Sequence, residues 1–304
     1  MSCDLSLHGF HKQFPTEQAC RNHLQEIRWG PDRFECPQCG EDERWHYIET
    51  VQRFECYACH RQTSVTAGTL FQDTKLDLRQ WFLAAYLILT SKKGTTVPRL
   101  ADRLGVTHKT AHNLRHKLLR AIQHVPGRKL EGLMEADETY LGGVDPGSDG
   151  RGTAKALVQG WVENRLEHAG RLALLHRPNA SKDHLSGDVE EIVDLDTSMV
   201  HTDGWAGYEF ETVGHHAEVI GDRDAHEVLP WVHVVFANLD RVVTGVHGHV
   251  SEAKLQAFLD LFVFRFNHRN HLEDAFWKGL RGLVCGSPWR WEEIAHHWVG
   301  PVAA

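Results

Sequence analysis

No stretch of the 304-residue chain stays apolar long enough to cross a bilayer. The longest strongly apolar run, residues 81–90, is about half the length of a spanning helix. The opening residues, MSCDLSLHGFHKQF, lack the basic start and apolar core of a signal peptide, so a cytoplasmic protein is expected. Compositional extremes are missing as well. Hydrophobic residues at 41% and charged residues at 24% exclude wholesale disorder and a collagen-like chain. Net positive charge is also lacking: the formal total is -8, which by itself argues against a nucleic-acid partner.

That total conceals a split. Residues 1–130 carry 19 Lys and Arg against 13 Asp and Glu, whereas residues 131–304 carry 14 against 28. Within 51–130 the balance is 14 basic to 4 acidic. An asymmetry of this kind indicates a basic binding module followed by an acidic second domain.

Four of the seven cysteines form the pattern C-x2-C-x16-C-x2-C at Cys36, Cys39, Cys56 and Cys59. Each C-x2-C turn brings two thiolates within reach of one tetrahedral ion, which is the spacing of a zinc ribbon. The lead-in repeats too, as Arg33-Phe34-Glu35-Cys36 and Arg53-Phe54-Glu55-Cys56, and places a Phe under each knuckle. Without a secretion signal, and with Cys3, Cys20 and Cys285 left over, a disulfide framework is excluded in favour of one structural zinc per chain. Four protein ligands leave no open position, so the ion holds the fold, and His60 is not required as a fifth ligand.

Apolar residues at 78, 81, 82, 85, 88 and 89 predict a helix, with Asp73, Thr74 or Asp77 available to cap it. Residues 96–119 then read as helix, a turn at Gly105, and a second helix capped by Thr107, the pattern of a helix-turn-helix. The second helix offers His108, Lys109, His112, Asn113, Arg115, His116 and Lys117 as donors to DNA phosphates or base edges.

Beyond residue 131 strands alternate with helices. Strands are predicted at 133–141, 156–163, 171–177, 198–203 and 217–220, and helices at 181–193, 227–243 and 251–269. Turn residues fill 145–152. Asp137 and Asp203 stand at separate strand ends, 66 positions apart, and Asn238 follows 35 residues later on a helix. Glu135 shares strand spacing with Asp137 and is either an auxiliary ligand or a hydrogen-bonding residue; Glu138 points the other way. His201 stands in the same relation to Asp203, and His247 and His249 occupy a Gly-rich turn.

The disposition of Asp137, Asp203 and Asn238 resembles the ribonuclease-H-like DDE recombinases. The wording is closer to one family. Glu135-x-Asp137-Glu138-Thr139-Tyr140-x-Gly142-Gly143, His201-Thr202-Asp203-Gly204-Trp205-x-Gly207-Tyr208 and the stretch from His233 through Asn238-Leu239 to Gly245 resemble the ISXO-like insertion-sequence transposases. Leu255-Gln256-Ala257-Phe258-Leu259 and Phe264-Arg265-Phe266-Asn267-His268-Arg269 continue the likeness, which covers roughly residues 10–270.

The resemblance implies a multidomain chain: a helical lead-in (1–30), a small β zinc ribbon (31–66), an α-helical helix-turn-helix (70–128), an α/β ribonuclease-H-like catalytic domain with a mixed sheet (131–275) and a C-terminal tail (276–304). It implies Asp137, Asp203 and Asn238 as ligands of catalytic Mg2+ or Mn2+. It implies binding to inverted-repeat ends and target DNA near the nucleoid, strand cleavage and transfer, and a homodimer or higher assembly at synapsis. Three positions depart from the family pattern. Asp240 and Val242 replace the usual Lys and Trp, and Leu261 stands where an acidic residue often precedes the Phe, with Asp260 one place earlier. Asp240 is then either a substitute acidic ligand or a weakening of the enzyme. The alternative function is a repurposed transposase acting as a DNA-binding regulator.

Overall fold

The computed structural model describes residues 6–92, 94–123, 128–142, 155–187, 189–203, 208, 214–217, 225–247 and 252–289. The 145–152 turn, the 204–207 and 218–220 segments and His249 lie outside them, as does the side chain of His247. The chain divides into two compact units. The first takes in the described parts of 1–91, 97–125 and 271–297, and the second most of the remainder.

The first unit opens with α1 (Leu7–Gln13) and α2 (Glu17–Trp29), whose first-turn amides are accepted by the side chains of Ser6 and Thr16. A three-stranded antiparallel sheet follows: β1 (Trp45–Ile48), β2 (Arg53–Cys56) and β3 (Gln62–Thr63). Of the three candidate caps for the next helix, Asp77 is the one used. It accepts from Arg79 N at the start of α3 (Leu78–Leu89).

Helix α4 (Val97–Leu104) ends at Gly105, whose φ of +64° is a conformation glycine adopts without a Cβ clash. Helix α5 (His108–Gln123) begins where Thr107 accepts from Thr110 N, and buries Ala111, Leu114, Leu118, Leu119 and Ile122.

The second unit is built on a five-stranded mixed sheet: β4 (Leu133–Leu141), β5 (Ala156–Asn164), β6 (Ala169–Arg177), β7 (Met199–Thr202) and β8 (Gly214–Ala217). Its order is β6-β5-β4-β7-β8, with β4, β5 and β6 antiparallel and with β7 and β8 parallel to β4. The final strand begins at Gly214 rather than 217, because its pairing runs from Met199 opposite Gly214 to Thr202 opposite Ala217.

The helix expected over 181–193 is two short ones, α6 (Lys182–Ser186) and α7 (Val189–Ile192), interrupted at Gly187, a poor helix former. The helix expected over 227–243 is likewise divided. α8 (Ala225–Val228) stops before Pro230, whose ring and missing N–H suit the first position of a new helix, α9 (Pro230–Val242). A turn of π-helix, Val243–His247, follows, then α10 (Glu252–Asn267).

One sheet face packs Val158, Val162, Leu172 and Leu174 against Val232, Phe236 and Leu239 of α9 and Phe258 and Phe262 of α10. The other packs Met134, Ala136, Trp161 and Val200 against Leu185, Val189 and Ile192. Within the expected 276–304 tail, most of a buried helix appears instead. Helix α11 (Leu272–Cys285) belongs to the first unit, packed on α2, α3 and α5.

Candidate functional site

The four ribbon cysteines come together, with their sulfurs all within 4.8 Å of one another. Cys36 Sγ lies 3.6 Å from Cys59 Sγ, and Cys39 Sγ 3.6 Å from Cys56 Sγ. Tetrahedral zinc with bonds of about 2.3 Å requires sulfurs roughly 3.8 Å apart, so the cage fits the ion. The two knuckles are built alike. Cys36 N donates to Glu41 O and Gly40 N to Cys36 O; Cys56 N donates to Arg61 O and His60 N to Cys56 O. Gly40 and His60 therefore occupy equivalent left-handed positions, at φ +73° and +56°. That accounts for His60 as a turn residue. Although desolvation opposes it, the amides of Gln38 and Cys39 hold the Cys36 thiol below its ordinary value, while Cys39 and Cys59, bonded within the same four-sulfur cluster, are pushed up. Beneath the cage, Phe34 and Phe54 stack with ring centroids 5.1 Å apart and planes 7° from parallel. The repeated lead-in thus forms a shared floor.

In the second unit, Ala136 pairs with Thr202 across the parallel strands β4 and β7. The next residues, Asp137 and Asp203, therefore occupy neighbouring positions at the same level, with Asp203 just past the end of β7. Asp137 is buried and Asp203 half-buried. Tyr208 registers both charges. Its phenol is held well above its ordinary value by burial first, then by Glu138, Asp137 and Asp203. Glu138 lies on the opposite sheet face, where its Oε2 accepts from the Tyr208 hydroxyl at 3.1 Å.

Glu135 has a different task from Asp137. At 1% exposure, its Oε2 accepts from Trp231 N at 2.8 Å and Val232 N at 2.9 Å, and its Oε1 accepts from Asn164 Nδ2 at 2.8 Å. Leu229, at the N-cap of α9, has no side-chain acceptor, so a carboxylate from β4 caps the helix and compensates its dipole. Burial raises the Glu135 carboxyl, while those amides pull it down. Of the two roles read for Glu135, hydrogen bonding is the one observed.

The cap fixes where α9 begins, and His233, one position later, reaches Asp137 with Nε2 3.7 Å from Oδ2. Asn238, half-buried, is turned about 140° around the helix from His233. Its Oδ1 accepts from Arg241 Nη1 at 3.2 Å. Asp240 is exposed, two turns beyond His233 and about 10 Å further along the axis. Asp260 is buried on α10 and bonded to Gln256, which also clamps Leu174 O and His176 N on β6.

Residues 129–267 match the ISXO2-like transposase domain, and residues 15–62 match the transposase zinc-ribbon domain. A protein of the transposable element ISH50 of Halobacterium salinarum is 27% identical over 278 residues, covering 84% of this chain and 92% of the relative. Over residues 129–267 the chain is thus similar to the ISXO2-like transposases. No solved structure matches it. The matched transposase domain contains Asp137, Asp203 and Asn238, and the matched ribbon contains all four cysteines; α4, α5 and α11 fall outside both.

On α5, His108 and Lys109 are exposed, while His112, Asn113, Arg115 and His116 are half-buried. Lys117 departs from the expected outward role: its Nζ donates to Leu70 O at 2.8 Å and lies 5.7 Å from the Trp81 ring centre. Burial lowers both Lys117 and Arg115 from their usual values. His112 and His116 approach with Nε2 atoms 3.1 Å apart. Sequence reading missed His233 as a site residue. Its sequence signals were its place at the start of the family-like stretch that runs to Gly245 and its polarity beside the apolar stripe of α9.

Proposed function

We propose that the chain binds the terminal inverted repeats of an insertion sequence and catalyses metal-dependent strand cleavage and strand transfer. The observation that carries this reading is the register of β4 and β7, which sets Asp137 beside Asp203. The strand order, three antiparallel strands followed by two parallel to the first, supports a ribonuclease-H-like catalytic domain. The donors on the neighbouring strands β4 and β7 are hard carboxylate oxygens, a set suited to Mg2+ or Mn2+. Asp137 and Asp203 would hold the ion, and Asn238 enters on the family resemblance as a third ligand through its amide oxygen. Bound there, the metal supplies activation of a water or 3′-hydroxyl and neutralises charge on the scissile phosphate. Glu135 fixes the start of α9 and thereby sets His233 against Asp137.

Helices α4 and α5 act as the helix-turn-helix reader. Lys109, His112, Asn113, Arg115 and His116 face the DNA, while Lys117 braces the unit from within. The zinc ribbon takes part in end recognition. Synapsis of two ends requires at least a dimer, working in the cytoplasm at the nucleoid.

Purified protein incubated with end DNA and Mg2+ or Mn2+ is expected to nick and join strands. Asp137→Ala and Asp203→Ala are each expected to lower cleavage by at least about a hundredfold while leaving end binding within about twofold. Retained cleavage in both variants refutes the assigned site. The exposed Asp240, where the family commonly carries Lys, favours a second reading as a DNA-binding regulator. Tight end binding by the unaltered chain with no nicking selects that reading.

A further inference from the structure

Between α2 and the ribbon sheet lies a cleft of about 210 Å³. Drug-sized ligands take pockets of about 300–1,000 Å³, so this one has room for a single planar ring system. Its two walls differ in chemistry. Gln18, Arg21, Asn22 and Gln25 recur at i, i+3, i+4 and i+7 and form one polar stripe along α2. Opposite, Trp45 and Tyr47 project from the same face of β1 on either side of Phe54, with ring centroids 5.7 and 4.9 Å from it.

The polar wall is only partly committed. Gln18 Nε2 donates to Asn22 Oδ1 at 2.8 Å, an exposed bond that a ligand can exchange. Arg21 Nη2 donates to Glu17 at 2.9 Å, but its buried Nε has no protein partner. Side-chain amides carry a donor and an acceptor each, which complements the alternating edge of a nucleobase, and half-buried aromatic rings offer it a stacking surface. Charge excludes a phosphate cradle. Residues 15–66 hold 6 Lys and Arg against 9 Asp and Glu, and Asp32 stands at the rim. A nucleotide would enter by its base, with its phosphates left outside.

We propose that this cleft receives one unpaired nucleobase of a DNA strand. The inference rests on the DNA-acting function above and adds a second mode of contact, separate from duplex reading by α5. It needs single-stranded DNA next to the bound end, such as a flanking strand opened around a cleaved junction.

The test uses the full zinc-loaded chain without added Mg2+, with binding followed by fluorescence anisotropy. Three probes are compared: a blunt duplex, the same duplex with a short unpaired extension, and one whose extension is abasic. The base-bearing extension is expected to bind about tenfold more tightly than the abasic one. Gln18→Ala combined with Asn22→Ala, both exposed and both replaced by a strong helix former, is expected to remove most of that advantage without changing blunt-duplex affinity. A 2-aminopurine in the extension should be quenched by the unaltered protein and not by Trp45→Leu. Zinc content reports whether that variant keeps its ribbon, and the α2 double variant decides the question if it does not. Equal binding of base-bearing and abasic extensions, or an advantage that survives the double variant, overturns the cleft assignment alone. Binding to none of the three probes overturns the DNA-acting function together with it.

Discussion

Glu135 is two residues from Asp137, yet its oxygens serve α9 and Asn164. Removing its side chain strands two helix amides, one of them on buried Val232. Glu135→Ala is therefore expected to destabilise the second unit by about 3 kcal/mol in urea unfolding, and Glu135→Gln, which keeps one carbonyl acceptor, by less than half as much. Equal losses would mean that the carboxylate charge, and not the cap, is what matters. In the first unit, Glu17 accepts from Leu78 N beside Asp77, and burial together with that neighbouring carboxyl pushes it up to about 7 from 4.5. A carboxyl whose folded value is raised favours the fold while protonated. Its contribution is full below about pH 4.5 and is lost as pH rises through about 7. His23, lowered by burial, contributes the opposite slope, so the informative quantity is the difference between the unaltered chain and Glu17→Gln. The stability of the unaltered chain relative to Glu17→Gln should fall across that window. A constant difference would refute the assignment.

Among the elements, those fixed by local pattern were the most legible. The observed β4 spans the residues read from sequence, Thr107 and Gly105 bound the α4–α5 turn, and the cysteine spacing foretold the cage. Elements whose limits depend on a partner were less so. Strand β8 takes its register from β7, and the Pro230 break in the 227–243 helix leaves α9 to be capped by a residue 96 positions earlier in the chain. The same distinction runs through the candidate site. Asp203 stands just past the end of β7 as the sequence pattern indicates, but Asp137 lies mid-strand in β4, opposite Gly160, rather than at a strand end. The approach of His233 and the inward turn of Lys117 depend on long-range packing. The ribbon tests the local case. One zinc per chain is expected, and Cys36→Ser should lose it and with it the Phe34–Phe54 floor, because so small a sheet has little core without the metal. A Cys36→Ser protein that keeps stoichiometric zinc refutes the four-cysteine site.

At the scale of the whole molecule, the first unit is not contiguous in sequence. Its α11 is made after the second unit, yet it lies in the first unit's core: Phe276, Leu280 and Leu283 are fully buried, and Phe276 touches Phe10, Phe14, Phe82 and Tyr86. Leu70 N donates to Leu283 O at 3.0 Å, and the backbones of α11 and α5 approach so closely that a Cβ at Gly282 would run into the Ala121 carbonyl. Burial of three such side chains is worth roughly 5–9 kcal/mol, as much as the whole stability of an ordinary domain. A chain ending at residue 270 should therefore keep a folded second unit and lose hydrogen-exchange protection throughout α3 and α5, with end binding lost alongside it. Gly282→Ala should weaken the same helices more mildly and leave β4 and β5 protected. Since α5 is held by a helix that follows residues 129–267 in the chain, the unit that carries α5 is completed only after that stretch has been synthesised. A truncated chain that still protected α5 and bound DNA would show that α11 is dispensable and would remove this order of assembly.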